Sequence, residues 1–159
     1  MKDSNSLETL KDIIKSANVA MLVTINEEHR IVARPMKLQE VEFDGDLWFL
    51  TMKDTEKYDE IKQNDHVNVI IADKSFASIS GTAEIVNDKD KIKEFWNKAY
   101  QVMFNMDYTD PRITLIKVHA ETAEYWDTGG TIKSAINFAK KMFDKDDDDE
   151  DDSNQTITL

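Results

Sequence analysis

Six segments with the length and composition of β-strands follow one another in this 159-residue sequence, and several are joined by very short connections. They cover residues 18–25, 30–41, 46–51, 67–73, 76–86 and 112–127. Polar turns at residues 26–29, 44–45 and 74–75 each separate two of these segments. Parallel strands need a crossover of roughly a dozen residues, whereas antiparallel strands can be joined by a turn of about two. The pattern therefore predicts a mainly antiparallel sheet or barrel and argues against alternating βαβ units.

Helical periodicity appears at four places before, between and after these strands. The predicted helices cover residues 5–17, 55–64, 88–104 and 132–142. In the first of them, Leu7, Leu10 and Ile14 recur at the spacing of one helix face. The predicted fold class is thus α+β, mainly β, with flanking helices. Pro35 lies inside the second strand, and because proline cannot donate a ladder hydrogen bond, this strand is predicted to be at an edge or bulged.

The charge of the chain is unevenly distributed. The sequence has 32 acidic and 20 basic residues and a formal net charge of -12, but eight of the acids and one lysine lie within residues 144–152. Residues 1–143 have 24 acids against 19 bases and no basic stripe. We predict one globular domain over residues 1–143 and a disordered acidic tail over residues 144–159. A nucleic-acid duplex and an anionic membrane are not expected partners.

The absence of cysteine and of a long apolar segment excludes several classes of function. Without a cysteine, the chain has no disulfide framework, thiolate zinc site or cysteine nucleophile. No apolar run approaches the roughly 18 residues of a membrane span, and the first residues carry acids and helix signals where a signal peptide carries a basic patch and an apolar core. A cytoplasmic location is therefore expected. His29, His66 and His119 lie far apart in the sequence, and no metal site is predicted.

The stretch from Arg34 to Lys57 combines the features of an anion site. It contains a strand carrying Arg34, a hairpin, a strand that ends at Thr51, and a helix that opens with Thr55, Glu56 and Lys57. A helix N-terminus presents unpaired backbone N–H groups and partial positive charge. Together with two hydroxyls, a guanidinium and an ammonium, it can hold a phosphate monoester through charge-assisted hydrogen bonds. The alternative is that Thr55 only caps the helix, while Lys57 and Arg34 are solvated surface charges.

Several short motifs occur in the order and spacing of a known family. They are ARPM (33–36), LWFLTMKDTEK (47–57), SISGTAEIV (78–86), FWNKAY (95–100), the pair Asp110-Pro111 and AEYWD (123–127). On these motifs the chain resembles the general stress protein 26 branch of the pyridoxamine 5'-phosphate oxidase-like proteins, the FMN-binding split barrels. The resemblance covers residues 5–127. It implies a six-stranded antiparallel split β-barrel that pairs as a homodimer and binds FMN in a cleft between the two subunits.

The resemblance also implies roles for particular residues. In the family, the strand matching ARPM supplies an arginine to the flavin phosphate and backbone contacts to the ring. These contacts correspond here to Arg34, Pro35 and Met36. The strand end and helix start that match LTMKDTEK supply further ring and phosphate contacts. These correspond to Leu50, Thr51, Thr55 and Lys57. Trp126 is expected to shield the flavin ring, with Trp48 as the second candidate and a plain core role as the alternative for both.

Two departures from the family pattern bear on function. Where the oxidases commonly have a second basic residue, this chain has Glu56, which either faces solvent or weakens FMN binding. True pyridoxamine phosphate oxidases end in an arginine-containing segment that helps to hold the substrate, whereas this chain ends in DDSNQTITL. We therefore predict an FMN-dependent oxidoreductase of the stress response that is not a true pyridoxamine phosphate oxidase and that uses a small-molecule electron donor or acceptor. The alternative is a non-catalytic protein that binds or carries a flavin, a deazaflavin or haem.

Overall fold

The computed structural model describes residues 2–39, 42–127 and 154–159. The helices within these ranges are α1 (Lys2–Ser16), α2 (Glu56–Gln63), α3 (Lys89–Phe95) and α4 (Lys98–Phe104). The strands are β1 (Val19–Ile25), β2 (Ile31–Lys37), β3 (Asp46–Met52), β4 (His66–Ala72), β5 (Phe76–Val86), β6 (Ile113–Trp126) and β7 (Asn154–Thr158). The predicted class, a mainly antiparallel sheet with flanking helices, is confirmed. None of the described helices is long and apolar enough to cross a membrane.

The seven described strands form one antiparallel sheet in which β2-β1-β4-β5-β6-β3 are neighbours. β2 lies at one edge, as the proline inside it predicts. The far edge of the long strand β6 is shared, because residues 113–119 pair with β3 and residues 122–126 pair with β7. The two ends of the order, β2 and β3, contact each other. The sheet therefore curls round into an open barrel.

Strand alternation separates two groups of buried side chains. Alternate residues of β1, namely Ala20, Leu22 and Thr24, are buried on the inner face of the sheet, where Leu10 and Ile14 of α1 join the main core. A second cluster lies on the other face of β3 and β6, against α3 and α4. Its buried members are Leu50, Ile92, Phe95, Tyr100, Ile113 and Leu115. Successive residues of one strand thus enter different environments, which decides how the candidate site is built.

The single helix predicted over residues 88–104 is wrong, because the structure has two short helices there. α3 ends at Phe95, and the backbone of the next residue, Trp96, is extended, with a ψ of 138°. Asn97 then caps α4, and its side-chain oxygen accepts a hydrogen bond from the backbone N–H of Tyr100 at 3.2 Å. Asparagine competes with a continuing helix by bonding to nearby backbone N–H groups. A capping residue inside an apolar periodic pattern therefore divides the helix.

The disordered tail predicted over residues 144–159 does not extend to the last residues. Asn154–Thr158 form β7, which pairs antiparallel with the end of β6. Ile157 is 9% exposed and belongs to the main core. The physical reason is that β3 pairs with only the first half of β6, so the second half offers unpaired backbone groups to another strand. The predicted helix at residues 132–142 and the acidic run at residues 144–152 lie outside the described residues.

Candidate functional site

Arg34 lies on β2 and is held by two other elements. The register pairs Arg34 with Leu22 of β1, so that Thr24, two residues further along β1, projects from the same face of the sheet. Arg34 Nη1 donates to Thr24 Oγ1 at 3.0 Å, and Nη2 donates to Glu60 Oε2 at 2.9 Å. Glu60 belongs to α2, which packs against β1. Strand pairing and helix docking together therefore determine where the guanidinium lies.

Arg34, Thr24 and Glu60 form a largely buried hydrogen-bonded group, which we call the Arg34 cluster. Thr24 Oγ1 also donates to Glu60 Oε2, at 2.6 Å, so that one carboxylate oxygen accepts from both partners. Glu60 is 7% exposed, whereas the Arg34 side chain is 22% exposed. These bonds engage one N–H of each terminal nitrogen of the guanidinium. Its other N–H groups make no hydrogen bond to the described residues and are free to bind a ligand.

Lys57 lies one helical turn before Glu60 and is half-buried. Burial lowers the pKa of Lys57, the positive charge of Arg34 lowers it further, and the negative charge of Glu60 acts in the opposite direction. Because Glu60 accepts a hydrogen bond from Arg34 at 2.9 Å and lies one helical turn after Lys57, the structure brings Arg34 and Lys57 to the same end of the sheet and helix. Two cations held close to one another form a site that an anion stabilises.

The hydroxyls of the two threonines beside the turn between β3 and α2 differ in their hydrogen bonding. Thr51 is buried, and its hydroxyl has no hydrogen-bond partner in the described part of the chain. Thr55 occupies the N-cap position of α2, but its hydroxyl donates to the Met52 carbonyl at 2.7 Å and makes no bond to the helix. The alternative role of Thr55 as a side-chain cap is therefore not observed. The first N–H groups of α2 have no side-chain cap, which leaves them available to an anion.

Glu56, the acidic departure from the family pattern, is exposed. Its carboxylate faces solvent, which is the first of the two outcomes expected for this position. Glu56 is part of the rim of a shallow depression of about 300 Å³ next to the Arg34 cluster. The depression is lined by Asn26, Glu27, Glu28, Glu56, Asp59 and Glu60. Since five of these six residues are acidic, this surface does not suit a phosphate.

Three other predicted contacts face different surroundings. Pro35 is exposed on the outer face of β2, while the side chain of Met36 is buried in the main core. Leu50 is buried in the second cluster, on the face of β3 opposite to Thr51. Leu50 and Thr51 are thus adjacent in sequence, but only Thr51 points into the barrel. At Leu50, the backbone is the only part that can reach a ligand on the inner side.

Trp126 is only partly buried and lies near the end of β6, opposite Phe76 of β5. Its neighbour Tyr125 is buried in the main core, so the indole of Trp126 lies on the outer face of the sheet. Arg34 points to the inner face. Within one chain the structure therefore does not bring Trp126 and Arg34 together.

Apolar residues form a group on the outer face of β1 and β2, with Ile70 of β4 beside them, and we call this surface the outer apolar face. The strand register places Met21 beside both Pro35 and Ile70, and Val23 beside Ala33. Ile31, at the start of β2, is 78% exposed. Isolated exposed apolar residues are common, but a contiguous group of them marks an interaction surface.

A pocket of about 330 Å³ lies between the end of β2 and the junction of α3 and α4. It is lined by Lys37, Leu38, Gln39, Glu94, Phe95, Trp96, Asn97 and Tyr100. Gln39 Nε2 donates to the hydroxyl of Tyr100 at 2.5 Å, and Lys37 Nζ lies 5.4 Å from the centroid of the Tyr100 ring. The pocket thus combines an aromatic wall with a cation and an amide, a lining typical of small-molecule sites.

Trp48, the second candidate for shielding a flavin, has a structural role. Its ring lies 5.9 Å from that of Phe95, and Lys91 Nζ lies 4.1 Å from its centroid. It packs against the second cluster. Trp48 therefore fits the alternative given for it, a role in packing the core.

Sequence reasoning missed Thr24 and Glu60. Thr24 lies in an apolar strand, and Glu60 lies in a helix that consists mostly of polar residues. The one available signal was that Glu60 directly precedes Ile61, which is buried, so that both fall on the side of α2 nearer the sheet. Their bonds to Arg34 join three separate elements and have no local sequence pattern.

Comparison with known proteins agrees with this architecture. The family model of the pyridoxamine 5'-phosphate oxidase like proteins matches residues 5–149. Protein bli-3 of Neurospora crassa is 29% identical over 132 residues, which cover 75% of this chain and 63% of bli-3. The chain therefore spans less than two thirds of the length of that relative.

Solved structures show the same fold. A protein related to general stress protein 26 from Clostridium acetobutylicum superposes with a TM-score of 0.73 at 17% identity, covering 99% of this chain and 96% of the other. The general stress FMN/FAD binding protein from Xanthomonas citri superposes with a TM-score of 0.65 at 28% identity, covering 77% and 89%. The resemblance to the general stress protein 26 branch is confirmed, and the chain belongs to the pyridoxamine 5'-phosphate oxidase-like family and has its split-barrel fold.

Proposed function

We propose that this protein is an FMN-binding flavoprotein of the general stress protein 26 type, acting as an FMN-dependent oxidoreductase and not as a true pyridoxamine phosphate oxidase. The observation that carries the proposal is the association of Arg34 and Lys57 at the first turn of α2, whose N–H groups have no side-chain cap. The Xanthomonas citri relative, which is named for FMN/FAD binding, supports the choice of cofactor.

The residues present suit the phosphate end of FMN. The free N–H groups of Arg34, the ammonium of Lys57 and the uncapped N–H groups of α2 form the donor set that a phosphate prefers. The buried hydroxyl of Thr51, which has no partner in the described residues, is a further donor for a ligand. A bound anion would also offset the repulsion between the two cations that contributes to the low pKa of Lys57.

A homodimer with the flavin at the subunit interface is part of the proposal. The outer apolar face gives a second copy of the chain a surface to cover, because burying Met21, Ala33, Pro35 and Ile70 is favourable. Trp126 faces outward and Arg34 inward within one chain. We therefore assign the Trp126 and the Arg34 of one flavin site to different subunits.

The isoalloxazine ring supplies the hydride or electron transfer when FMN is bound. This chain contributes binding of the phosphate, orientation of the ring and exclusion of water. The pocket containing Lys37, Gln39 and Tyr100 starts on the same strand as Arg34. We infer that a small-molecule electron donor or acceptor binds in this pocket.

The proposal is tested by titrating the purified protein with FMN and with riboflavin, which lacks the phosphate, and following the quenching of flavin fluorescence. Arg34→Ala and Lys57→Ala should each weaken FMN binding by about 1.5–3 kcal/mol, the range for a hydrogen bond to a charged group, and leave riboflavin binding unchanged. Lys62→Ala, which removes an exposed lysine from the same helix, is the matched control. Equal losses for both flavins would show that these side chains do not bind the phosphate.

Enzyme and carrier are separated by a second measurement. An oxidoreductase should show reduction of its bound flavin by a nicotinamide donor and turnover on an acceptor. A flavin that no donor reduces would favour the alternative, a non-catalytic flavin carrier. Failure to bind FMN, with uptake of a deazaflavin or of haem, would favour a carrier of those groups. We propose a cytoplasmic location for either function.

A further inference from the structure

Glu60 lies at the proposed phosphate site although its charge opposes a phosphate. Its Oε2 accepts hydrogen bonds from Arg34 Nη2 at 2.9 Å and from Thr24 Oγ1 at 2.6 Å. Glu60 is almost completely buried, and its charge also acts on Lys57, one helical turn away. A carboxylate in this position competes with any anion for the same arginine.

The charges at the site determine what it can accept. Arg34 and Lys57 each contribute one positive charge and Glu60 contributes one negative charge, which leaves a single net positive charge. A phosphate monoester carries about 1.5 to 2 negative charges at pH 7. The site therefore compensates such a group only in part, whereas the two cations without Glu60 would compensate it fully.

We propose that Glu60 is a specificity-determining residue of this site, because its carboxylate shares Arg34 with the ligand and lowers the affinity for a doubly charged phosphate relative to an uncharged flavin. The inference rests on the proposed function, since it requires that the flavin phosphate lies beside Arg34. The carboxylate of Glu60 partly neutralises the positive charge of Arg34. A bound flavin is then held less tightly through its phosphate than two free cations would allow.

The test is the ratio of FMN affinity to riboflavin affinity in Glu60→Gln, measured by fluorescence titration at pH 7.5 and constant salt. Glutamine keeps the length of the side chain and an acceptor oxygen for Arg34 and Thr24, but removes the charge. We expect FMN to bind about tenfold more tightly and riboflavin to bind as before, the size expected for one unit charge near a partly exposed site. Asp59→Asn is the matched control, because it removes the same charge from the neighbouring, exposed position and should change FMN binding by less than about twofold.

The outcomes distinguish this inference from the proposed function. An FMN-to-riboflavin ratio that is unchanged or lower in Glu60→Gln, in a protein that binds FMN, overturns the inference and leaves the proposed function standing. FMN binding by Glu60→Gln but not by the unmodified protein supports the inference. If neither protein binds a flavin, both ideas fail together.

Thermal unfolding of each variant establishes that it is folded. If Glu60→Gln does not fold, Glu60→Asp gives the same test in a milder form, because it keeps the charge but withdraws the carboxylate by one methylene. Its FMN-to-riboflavin ratio should rise by less than tenfold. A ratio equal to that of the unmodified protein would then overturn the inference.

Discussion

Ile157 anchors the last strand to the core and offers a direct test of the structure. It is 9% exposed and belongs to the main core, and the five residues of β7 pair with residues 122–126 of β6. Replacing a buried isoleucine by alanine typically costs about 2–5 kcal/mol, through lost apolar burial and the cavity that remains. Ile157 lies at the margin of the core on an edge strand, where neighbours can close the gap. We therefore expect Ile157→Ala to lower the free energy of unfolding by about 2 kcal/mol.

Urea unfolding followed by tryptophan fluorescence measures this change, and thermal unfolding provides a second reading. For a chain of this size, about 2 kcal/mol corresponds to a fall in Tm of roughly 4–8 °C. The control is Thr156→Ala on the same strand, because Thr156 is exposed and its replacement should cost less than about 0.5 kcal/mol. Equal unfolding midpoints for the two variants would contradict this prediction and would show that the side chain of Ile157 is not packed in the core.

Two further predictions concern a buried hydroxyl and a surface ion pair. Thr51→Val removes a buried hydroxyl without a described partner, so the flavin-free protein should become about 1 kcal/mol more stable, while its affinity for FMN should fall. Thr114→Val is the comparison. It should lower the stability by about 1–2 kcal/mol, because the Thr114 hydroxyl donates to Asn87 Oδ1 at 2.7 Å. Urea unfolding and FMN titration check both, and a loss of stability in Thr51→Val would contradict the first. The hydrogen bond from Arg112 lowers the pKa of Asp110 from 3.8 to about 2. A lowered carboxyl pKa stabilises the folded state above about pH 4 and ceases to do so as the pH falls towards 2, so the unmodified protein should be more stable than Asp110→Asn at pH 7 and equal to it near pH 2. A stability difference that does not change with pH would exclude this cause.

Much of the sheet could be predicted from local patterns. The predicted range 76–86 coincides with β5, and the range 46–51 differs from β3 by one residue, because alternating apolar residues bounded by turn residues are a short-range signal. The strand β7 could not be predicted in this way. It is short and follows an acidic run, and it exists because a distant strand leaves half of its edge unpaired.

The candidate site was predictable only in part. Arg34 and Lys57 were selected from residue type, from a helix start and from the order of family motifs, and in the structure both lie beside Glu60 of α2. The partners of Arg34 were not selected, because Thr24 and Glu60 reach it from another strand and from a helix. A hydrogen bond between separate elements has no periodicity that a sequence could display.

Local features of the chain suffice to predict several properties of this protein, namely strands joined by short turns, the absence of cysteine chemistry, the small number of arginines and the family whose motifs occur in order. Which of these residues face one another depends on how the distant elements pack in the folded chain. This packing directed Arg34 inward to a buried carboxylate, left Trp126 on the outer face and returned the last residues of the chain to the sheet. The reason is physical, because propensity and periodicity act over a few residues, whereas the pairing of backbone groups and the burial of charge must be satisfied over the whole fold.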